Sequence, residues 1–238
     1  MTIDRVRVRF DALLLDLDGT LVDSQRDLSD ALNFLLAEQG LATVDLAQTR
    51  AMVGDGARVL IERALRATGG DPERAPDLLA RFLALYEPIA CRQTRPYPGV
   101  LDTLGNLRDA GILLAVVTNK PVRATRTVLD GLGLSPFFAV IVGGDSVAAR
   151  KPDPAPVRAA LQRLQVAPDR TVMVGDNHHD VEASHAAGVL AVAVSYGYAH
   201  RSPHDLGADA VIDDFAALPA ALHLLAAAPE ASVVPNGS

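Results

Sequence analysis

Three features that would assign the chain to a broad class are scarce or absent: cysteine, long apolar runs and excess positive charge. A single cysteine, Cys91, excludes an internal disulfide framework and indicates a cytoplasmic protein. The chain is 49% hydrophobic but lacks an apolar run of membrane-spanning length, about eighteen residues, which predicts a globular protein without membrane contact. The net charge of −7 argues against a nucleic-acid partner, because such partners require a basic surface.

Lysine is also rare, since only two of the 22 lysine and arginine residues are lysines, Lys120 and Lys151. A planar guanidinium cannot replace a compact ammonium in a tight site, so a retained lysine is a candidate functional residue. Lys151 lies in the string RKPDP and is interpreted in this way. Lys120 is interpreted as a coincidence.

The apolar pattern predicts strands that alternate with helices. Apolar runs of strand length occupy residues 10–17, 112–117, 138–142, 171–175, 189–194 and, more weakly, 210–212. Helix-period patterns separate them at residues 99–110, 121–131, 154–165, 180–187 and 214–226. This alternation is typical of an α/β fold with a doubly wound parallel sheet. The first run has no polar face at 13–15 and is therefore predicted to be a central strand.

One long segment breaks this alternation. Residues 24–95 carry helix-period patterns and no convincing strand, and two prolines, Pro96 and Pro98, mark the return to the alternating pattern. We therefore predict an α/β core formed by residues 1–23 and 96–226, with an α-helical cap formed by residues 24–95. The small residues of 227–238 have no periodic apolar face and predict a disordered tail.

Residues able to do chemistry follow several of the predicted strands. Asp16 and Asp18 end the first strand, where their spacing places both carboxylates on one side, about 6 to 7 Å apart along an extended chain. An ordinary Asp-Gly turn would account for Asp18 and Gly19 but would leave Asp16 without a function. The later strand ends supply five further candidates, which are Thr118, Asn119, Lys151, Asp176 and Asp180.

Each of these residues alone has an ordinary explanation as a helix cap, a turn residue or a solvated loop residue. Ligands of open α/β sheets bind at the carboxyl ends of the strands, so the joint occurrence of the candidates there predicts one site. Its four aspartates outnumber Lys151, and clustered carboxylates cannot all stay ionised unaided. We therefore predict Mg²⁺, which prefers oxygen ligands. No Cys/His spacing indicates zinc, and the adjacent His178 and His179 are interpreted as rim residues.

Four short motifs together resemble those of the haloacid-dehalogenase-like hydrolase superfamily. They are, in chain order, DLDGT, VVTNK, the lysine of KPDP, and GDNHHD, and they extend from residue 16 to residue 180. The resemblance implies a Rossmann-like core, and the helical segment after the first motif is similar to the small α-helical cap of one subclass. A dinucleotide-binding dehydrogenase is a poorer fit, because no G-x-G-x-x-G follows the first strand.

The resemblance also implies roles for individual residues. Asp16 would be the nucleophile that forms an aspartyl-phosphate, Asp18 the general acid and base, and Lys151 the cation that balances Asp16 and the phosphate. Dehalogenases and P-type ATPases of the superfamily lack an aspartate at the Asp18 position, so a phosphatase or a phosphomutase is expected. Mg²⁺ would be bound by Asp16, by Asp176 and by the backbone carbonyl of Asp18. Thr118 and the amide of Asn119 would bind the phosphoryl oxygens. Asp180 would orient Lys151 or metal-bound water.

The string VGDGARVLIERAL at 53–65, with VTNKP and GGD, resembles bacterial phosphoglycolate phosphatases, although that family usually has Asn where this chain has Asp55. The resemblance implies 2-phosphoglycolate as the substrate, with another small phosphate ester or a sugar phosphomutase reaction as the alternative. Gly54 and Asp55 are predicted to read the substrate, with Asp55 paired to an arginine such as Arg58. A plain turn between two helices is the alternative interpretation. We expect a small phosphorylated metabolite as partner, and a monomer or homodimer.

Overall fold

The structure, a computed structural model, describes residues 9–198 and 201–227. Its strands in chain order are β1 (Ala12–Leu15), β2 (Val22–Asp23), β3 (Arg95–Pro96), β4 (Leu113–Val117), β5 (Val140–Val142), β6 (Thr171–Gly175), β7 (Leu190–Val194) and β8 (Ala210–Ile212). The helices that follow β1 are α1 (Gln25–Glu38), α2 (Leu46–Arg50), α3 (Ala57–Ala67), α4 (Ala75–Tyr86), α5 (Val100–Asp109), α6 (Val122–Gly131), α7 (Ala155–Leu164), α8 (His178–Ala186) and α9 (Leu218–Ala227).

Six strands form one parallel sheet in the order β5-β4-β1-β6-β7-β8. The predicted doubly wound α/β fold is confirmed, and each of the six apolar runs supplies one of these strands. β1 lies between β4 and β6, and its four residues are fully buried, as a strand without a polar face requires. Leu15 is in register with Val116 of β4 and Val174 of β6, so these three strands end at the same edge of the sheet.

Successive side chains of β1 enter two different apolar layers, because side chains alternate between the faces of a strand. Leu13 and Leu15 contact the larger layer, which includes residues of α5, α6 and α9. Ala12 and Leu14 contact the smaller layer, which includes residues of α7 and α8. Helices therefore cover both faces of the sheet. A ligand-binding site is then expected at the carboxyl ends of the strands, which these helices leave uncovered.

The segment between β2 and β3 is helical and packs above this edge. β2 and β3 pair antiparallel, so the chain leaves and re-enters the sheet region through adjacent short strands. Inside the segment, α1 and α3 both pack against α4. Asp27 of α1 is fully buried, and its carboxylate accepts hydrogen bonds from the backbone N–H of Gln93 and the N–H and hydroxyl of Thr94, at 2.7–3.0 Å. The proposed cap boundaries at residues 24–95 stay a prediction.

Two helix boundaries differ from the sequence prediction. α8 begins at His178 rather than at residue 180, because the carboxylate of Asp180 accepts the N–H of Asn177 and stabilises the first turn. The last predicted helix, 214–226, is divided into a 3₁₀ turn at Phe215–Ala217 and α9. Ala227, predicted to begin a tail, is the last residue of α9, and residues 228–238 lie outside the described residues. None of the helices in 9–198 and 201–227 has the length and apolar character that crossing a membrane requires.

Candidate active site

The predicted nucleophile, Asp16, lies at the carboxyl end of β1 and is held there by the neighbouring strand. Its N–H donates to the carbonyl oxygen of Val174 at 2.9 Å, which extends the β1–β6 pairing by one residue. Its carboxylate accepts a hydrogen bond from Lys151 at 3.0 Å through Oδ1. Burial raises the pKa of Asp16 to about 6, although the charge of Lys151 opposes the shift.

Lys151 is 4% exposed, and all three protons of its ammonium have acceptors. Nζ donates to Asp16, to the carbonyl oxygen of Val117 at 2.6 Å, and to the carboxylate of Asp180. Burial alone would lower the pKa of Lys151, but the two carboxylates reverse this effect and raise it. The lysine therefore stays charged and ties the end of β1 to the end of β4 and the start of α8.

Asp176 ends β6 and supplies a third buried carboxylate to this edge. It accepts hydrogen bonds from the backbone N–H of Tyr198 and, at 3.4 Å, from the hydroxyl of Thr20. Burial and the charge of Asp16 raise its pKa well above the usual value. Gly19 and Gly197 make room for it, because a Cβ at either position would overlap its side chain. Gly19 also has a φ of +87°, a conformation that favours glycine.

The donor set at this edge fits a hard divalent cation. Carboxylate oxygens of Asp16, Asp176 and Asp180 lie within 4.8 Å of one another. Burial and the neighbouring carboxylates raise the pKa values of Asp16 and Asp176, and Lys151 opposes these shifts only in part. Mg²⁺ takes such oxygen ligands and would relieve the repulsion. The cluster contains Asp180, which was predicted to act through Lys151, whereas the carboxylate of Asp18 lies outside it.

The carboxylate of Asp18 has its own lysine. Lys120 Nζ donates to both of its oxygens, at 3.0 and 2.9 Å, and to the hydroxyl of Tyr86 at 2.8 Å. The hydroxyl of Ser24 donates to the same carboxylate at 2.6 Å. Lys120 is 7% exposed, so its interpretation as a coincidence is wrong. The scarcity of lysine was the signal that could have identified both residues.

The loop after β4 brings Thr118 and Asn119 to the same edge, where both are buried. The side-chain amide of Asn119 donates to the carbonyl oxygens of Gly54 and Lys151 and accepts from the N–H of Lys151, each at 3.0 Å. These contacts use both amide hydrogens, so a phosphoryl oxygen would have to bind the backbone N–H of Asn119 instead. The hydroxyl of Thr118 accepts the N–H of Lys120 at 3.3 Å.

The loop before α3 reaches the site through its backbone. Asp55 turns its carboxylate to Arg63 at 2.6 Å and to Nε2 of His179 at 3.1 Å. The predicted pairing with an arginine is therefore present, but the arginine is Arg63 and not the suggested Arg58. Arg58 instead pairs with Glu62, one turn along α3, at 3.7 Å. His179 is buried rather than at the rim, and this burial lowers its pKa. The loop therefore connects the helical segment to α8.

A cavity of about 50 Å³ lies between the sheet edge and the helical segment. Its polar end is formed by residues that the sequence analysis named, including Asp16, Asp18, Thr118 and Asn119, together with Lys120. Its opposite wall is largely apolar and is formed by Leu28, Val53, Leu60, Phe82, Leu83 and Tyr86. Gly54 and Gly56 also border the cavity, whereas Asp55 is not among the residues that line it. A small, mostly apolar pocket with converging polar groups is typical of a site for a small ligand.

The chain belongs to the haloacid dehalogenase-like hydrolase family, whose sequence model matches residues 13–194. This match confirms the superfamily that the four motifs indicated. Membership of a hydrolase family means that the chain is an enzyme.

Within the family, the chain is similar to proteins named phosphoglycolate phosphatase. It is 50% identical to the one from Rhodospirillum rubrum over 87% of this chain and 88% of that protein, and 41% identical to the one from Caulobacter vibrioides over 91% and 93%. Among solved structures, a predicted phosphoglycolate phosphatase from Haemophilus somnus 129pt superposes with a TM-score of 0.83 at 32% identity, covering 92% of this chain and 97% of that one. CbbY from Rhodobacter sphaeroides in complex with phosphate gives 0.77 at 29% identity, with 88% and 96% covered.

Proposed function

We propose that the enzyme hydrolyses 2-phosphoglycolate to glycolate and phosphate through an aspartyl-phosphate on Asp16. The observation that carries this proposal is the pairing of Asp16 with Lys151 and of Asp18 with Lys120, both lysines being buried, beside a cavity of about 50 Å³. The names of the similar proteins support the choice of substrate.

In the first step, a carboxylate oxygen of Asp16 attacks phosphorus and the bond from phosphorus to the ester oxygen breaks. Lys151 holds Oδ1, so Oδ2 is the oxygen that attacks. Asp18, in its protonated form, gives its proton to the departing alkoxide. In the second step Asp18 takes a proton from water as the water attacks phosphorus, and the bond to Asp16 breaks. Lys120 and Ser24 keep the carboxylate of Asp18 in place for both transfers.

Residues at the sheet edge would hold Mg²⁺ and the phosphoryl group. The ligands would be the carboxylates of Asp16 and Asp176 and the backbone carbonyl of Asp18, and Asp180 would orient Lys151. The cation supplies positive charge to the phosphoryl oxygens. The hydroxyl of Thr118 and the backbone N–H of Asn119 bind the same oxygens from the β4 side.

The size of the cavity favours a small leaving group. The cavity is small, about 50 Å³, and the helical segment forms its apolar wall, which supports a small leaving group such as glycolate. The sugar phosphomutase alternative therefore has less support from the cavity than hydrolysis of a small ester has.

The proposal is tested by measuring phosphate release from a panel of monoesters in the presence of Mg²⁺. We expect 2-phosphoglycolate to have the highest kcat/KM, EDTA to stop turnover, and Mg²⁺ to restore it. Asp16→Asn should retain less than about a hundredth of the activity, because an amide does not attack phosphorus. A hexose phosphate or nucleotide that exceeds 2-phosphoglycolate tenfold in kcat/KM, about 1.4 kcal/mol, would refute the substrate assignment. The cytoplasmic location and the monomeric or homodimeric state stay predictions.

A further inference from the structure

The hydroxyl of Tyr86 occupies an unusual position between the helical segment and the acid/base carboxylate. Tyr86 ends α4, is 1% exposed, and lines the cavity. The Tyr86 ring stacks on the ring of Phe82 with 6.0 Å between centroids, and Lys120 Nζ lies 4.5 Å from the centroid of the Tyr86 ring. Both contacts fix the ring, so the hydroxyl has a defined direction.

The donor and acceptor roles of this hydroxyl follow from chemistry. An ammonium can only donate, so in the 2.8 Å contact with Lys120 the Tyr86 oxygen is the acceptor. The phenolic hydrogen must therefore bond elsewhere, and no carbonyl or carboxylate of the described residues accepts it. Burial raises the pKa of Tyr86, so the hydrogen is present at neutral pH. A buried donor without an acceptor is costly, and a ligand in the cavity would supply one.

The location of this donor matches one part of the proposed substrate. In the proposed mechanism Asp18 gives its proton to the ester oxygen. Asp18 is joined to the Tyr86 hydroxyl by two successive hydrogen bonds through Lys120, of 2.9 and 2.8 Å. In 2-phosphoglycolate the carboxyl carbon is two covalent bonds from the ester oxygen. Among the described residues that line the cavity, Lys120 is the one cation, and its three protons are already used. The Asp55 carboxylate, predicted to read the substrate, faces Arg63 and His179 instead.

We propose that Tyr86 determines specificity by donating its hydroxyl hydrogen to the carboxylate of a small phosphorylated hydroxy acid. This inference rests on the proposed function and assigns the leaving-group end of the same site. The charge of Lys120 polarises the hydroxyl and strengthens the hydrogen bond to an anion. The wall around it is largely apolar, so a substrate without a carboxylate offers this hydroxyl no charged acceptor.

Two matched substrates and one conservative variant test the proposal. Ethyl phosphate has the size of 2-phosphoglycolate but carries a methyl group in place of the carboxylate. Tyr86→Phe keeps the ring and its stacking on Phe82 while it removes the hydroxyl. We expect the variant to lose about ten- to a hundredfold in kcat/KM for 2-phosphoglycolate, mainly through KM. The loss for ethyl phosphate should be at least about fivefold smaller, since with either substrate Lys120 loses one acceptor.

A second hydroxyl deletion serves as the control. Tyr196 donates to the carbonyl oxygen of Thr20 at 2.9 Å, so Tyr196→Phe should leave the ratio of the two kcat/KM values unchanged. Thermal melting verifies that each variant is folded. Equal losses for both substrates in Tyr86→Phe would mean that the hydroxyl only positions Lys120, and would overturn the inference. A wild-type preference for 2-phosphoglycolate that persists in Tyr86→Phe overturns the inference alone, whereas a wild type without that preference overturns the proposed function as well.

Discussion

The raised pKa of Asp16 predicts that the metal-free protein becomes less stable as the pH rises. Burial moves this pKa from 3.8 to about 6. Between these values the folded state binds more protons than the unfolded chain, so the free energy of unfolding decreases with increasing pH. The difference of about 2.2 pKa units corresponds to about 3 kcal/mol, which is present below about pH 4 and lost above about pH 6.

Urea denaturation in EDTA between about pH 4 and pH 7.5 measures this effect when wild type and Asp16→Asn are compared. The amide does not titrate, and it also removes the charge that helps to raise the pKa of Asp176. The difference between the two free energies therefore measures the titration of Asp16 together with its coupling to Asp176. We expect this difference to shift by about 3 kcal/mol in favour of the asparagine variant as the pH rises. A difference that stays constant across the range would refute the argument from burial.

Adding Mg²⁺ extends the same experiment. A ligand that binds only the folded state stabilises it, and the cation binds the ionised carboxylates. Mg²⁺ should therefore stabilise wild type more at about pH 7.5 than at about pH 5, and should stabilise Asp16→Asn much less at either pH. Equal stabilisation of the two proteins would place the cation at some other group.

Three further substitutions test the contacts around the cavity. Lys151→Arg should lower kcat at least about a hundredfold despite keeping the charge, because a planar guanidinium cannot replace an ammonium with three enclosed acceptors, and near-normal kcat would contradict this. Lys120→Met should lower kcat about tenfold or more and reduce the melting temperature, since it leaves Asp18 without its cation, and unchanged values of both would show that the pair is dispensable. Asp55→Ala should raise KM more than it lowers kcat, because the loop loses its contact with His179, and a change confined to kcat would disprove this role.

The parts of the fold that could be predicted are those that depend on local pattern. A short apolar run in the sequence predicts each strand of the main sheet. The run without a polar face predicts an interior strand, and β1 lies between β4 and β6. The meeting of Asp16 and Asp176 also followed from the sequence, because the ends of parallel strands share one edge of the sheet. No side-chain geometry was needed for these inferences.

The contacts that could not be predicted cross from the helical segment to the sheet. Lys120 and Tyr86 are separated by 34 residues, and their contact depends on how α4 packs above the edge. Asp55 pairs with an arginine, as predicted, but Arg58 was suggested because it is nearer in sequence than Arg63. Glu62 lies one helical turn after Arg58 on the same side of α3 and takes its charge. Arg63, one position further along, projects in another direction and meets Asp55.

The two lysines of the chain explain how two aspartates two residues apart can perform different tasks. Each ammonium is enclosed by three oxygen acceptors, an arrangement that a tetrahedral cation satisfies and a planar guanidinium does not. Burial raises the pKa of Asp16, and Lys151, which Asp16 shares with a second carboxylate, offsets this effect only in part. Lys120 instead donates two of its protons to one carboxylate, that of Asp18, and its third to the neutral hydroxyl of Tyr86. In the proposed mechanism this difference leaves Asp16 to bind the cation and attack phosphorus, while the carboxylate of Asp18, which lies outside the cluster of Asp16, Asp176 and Asp180, transfers the proton.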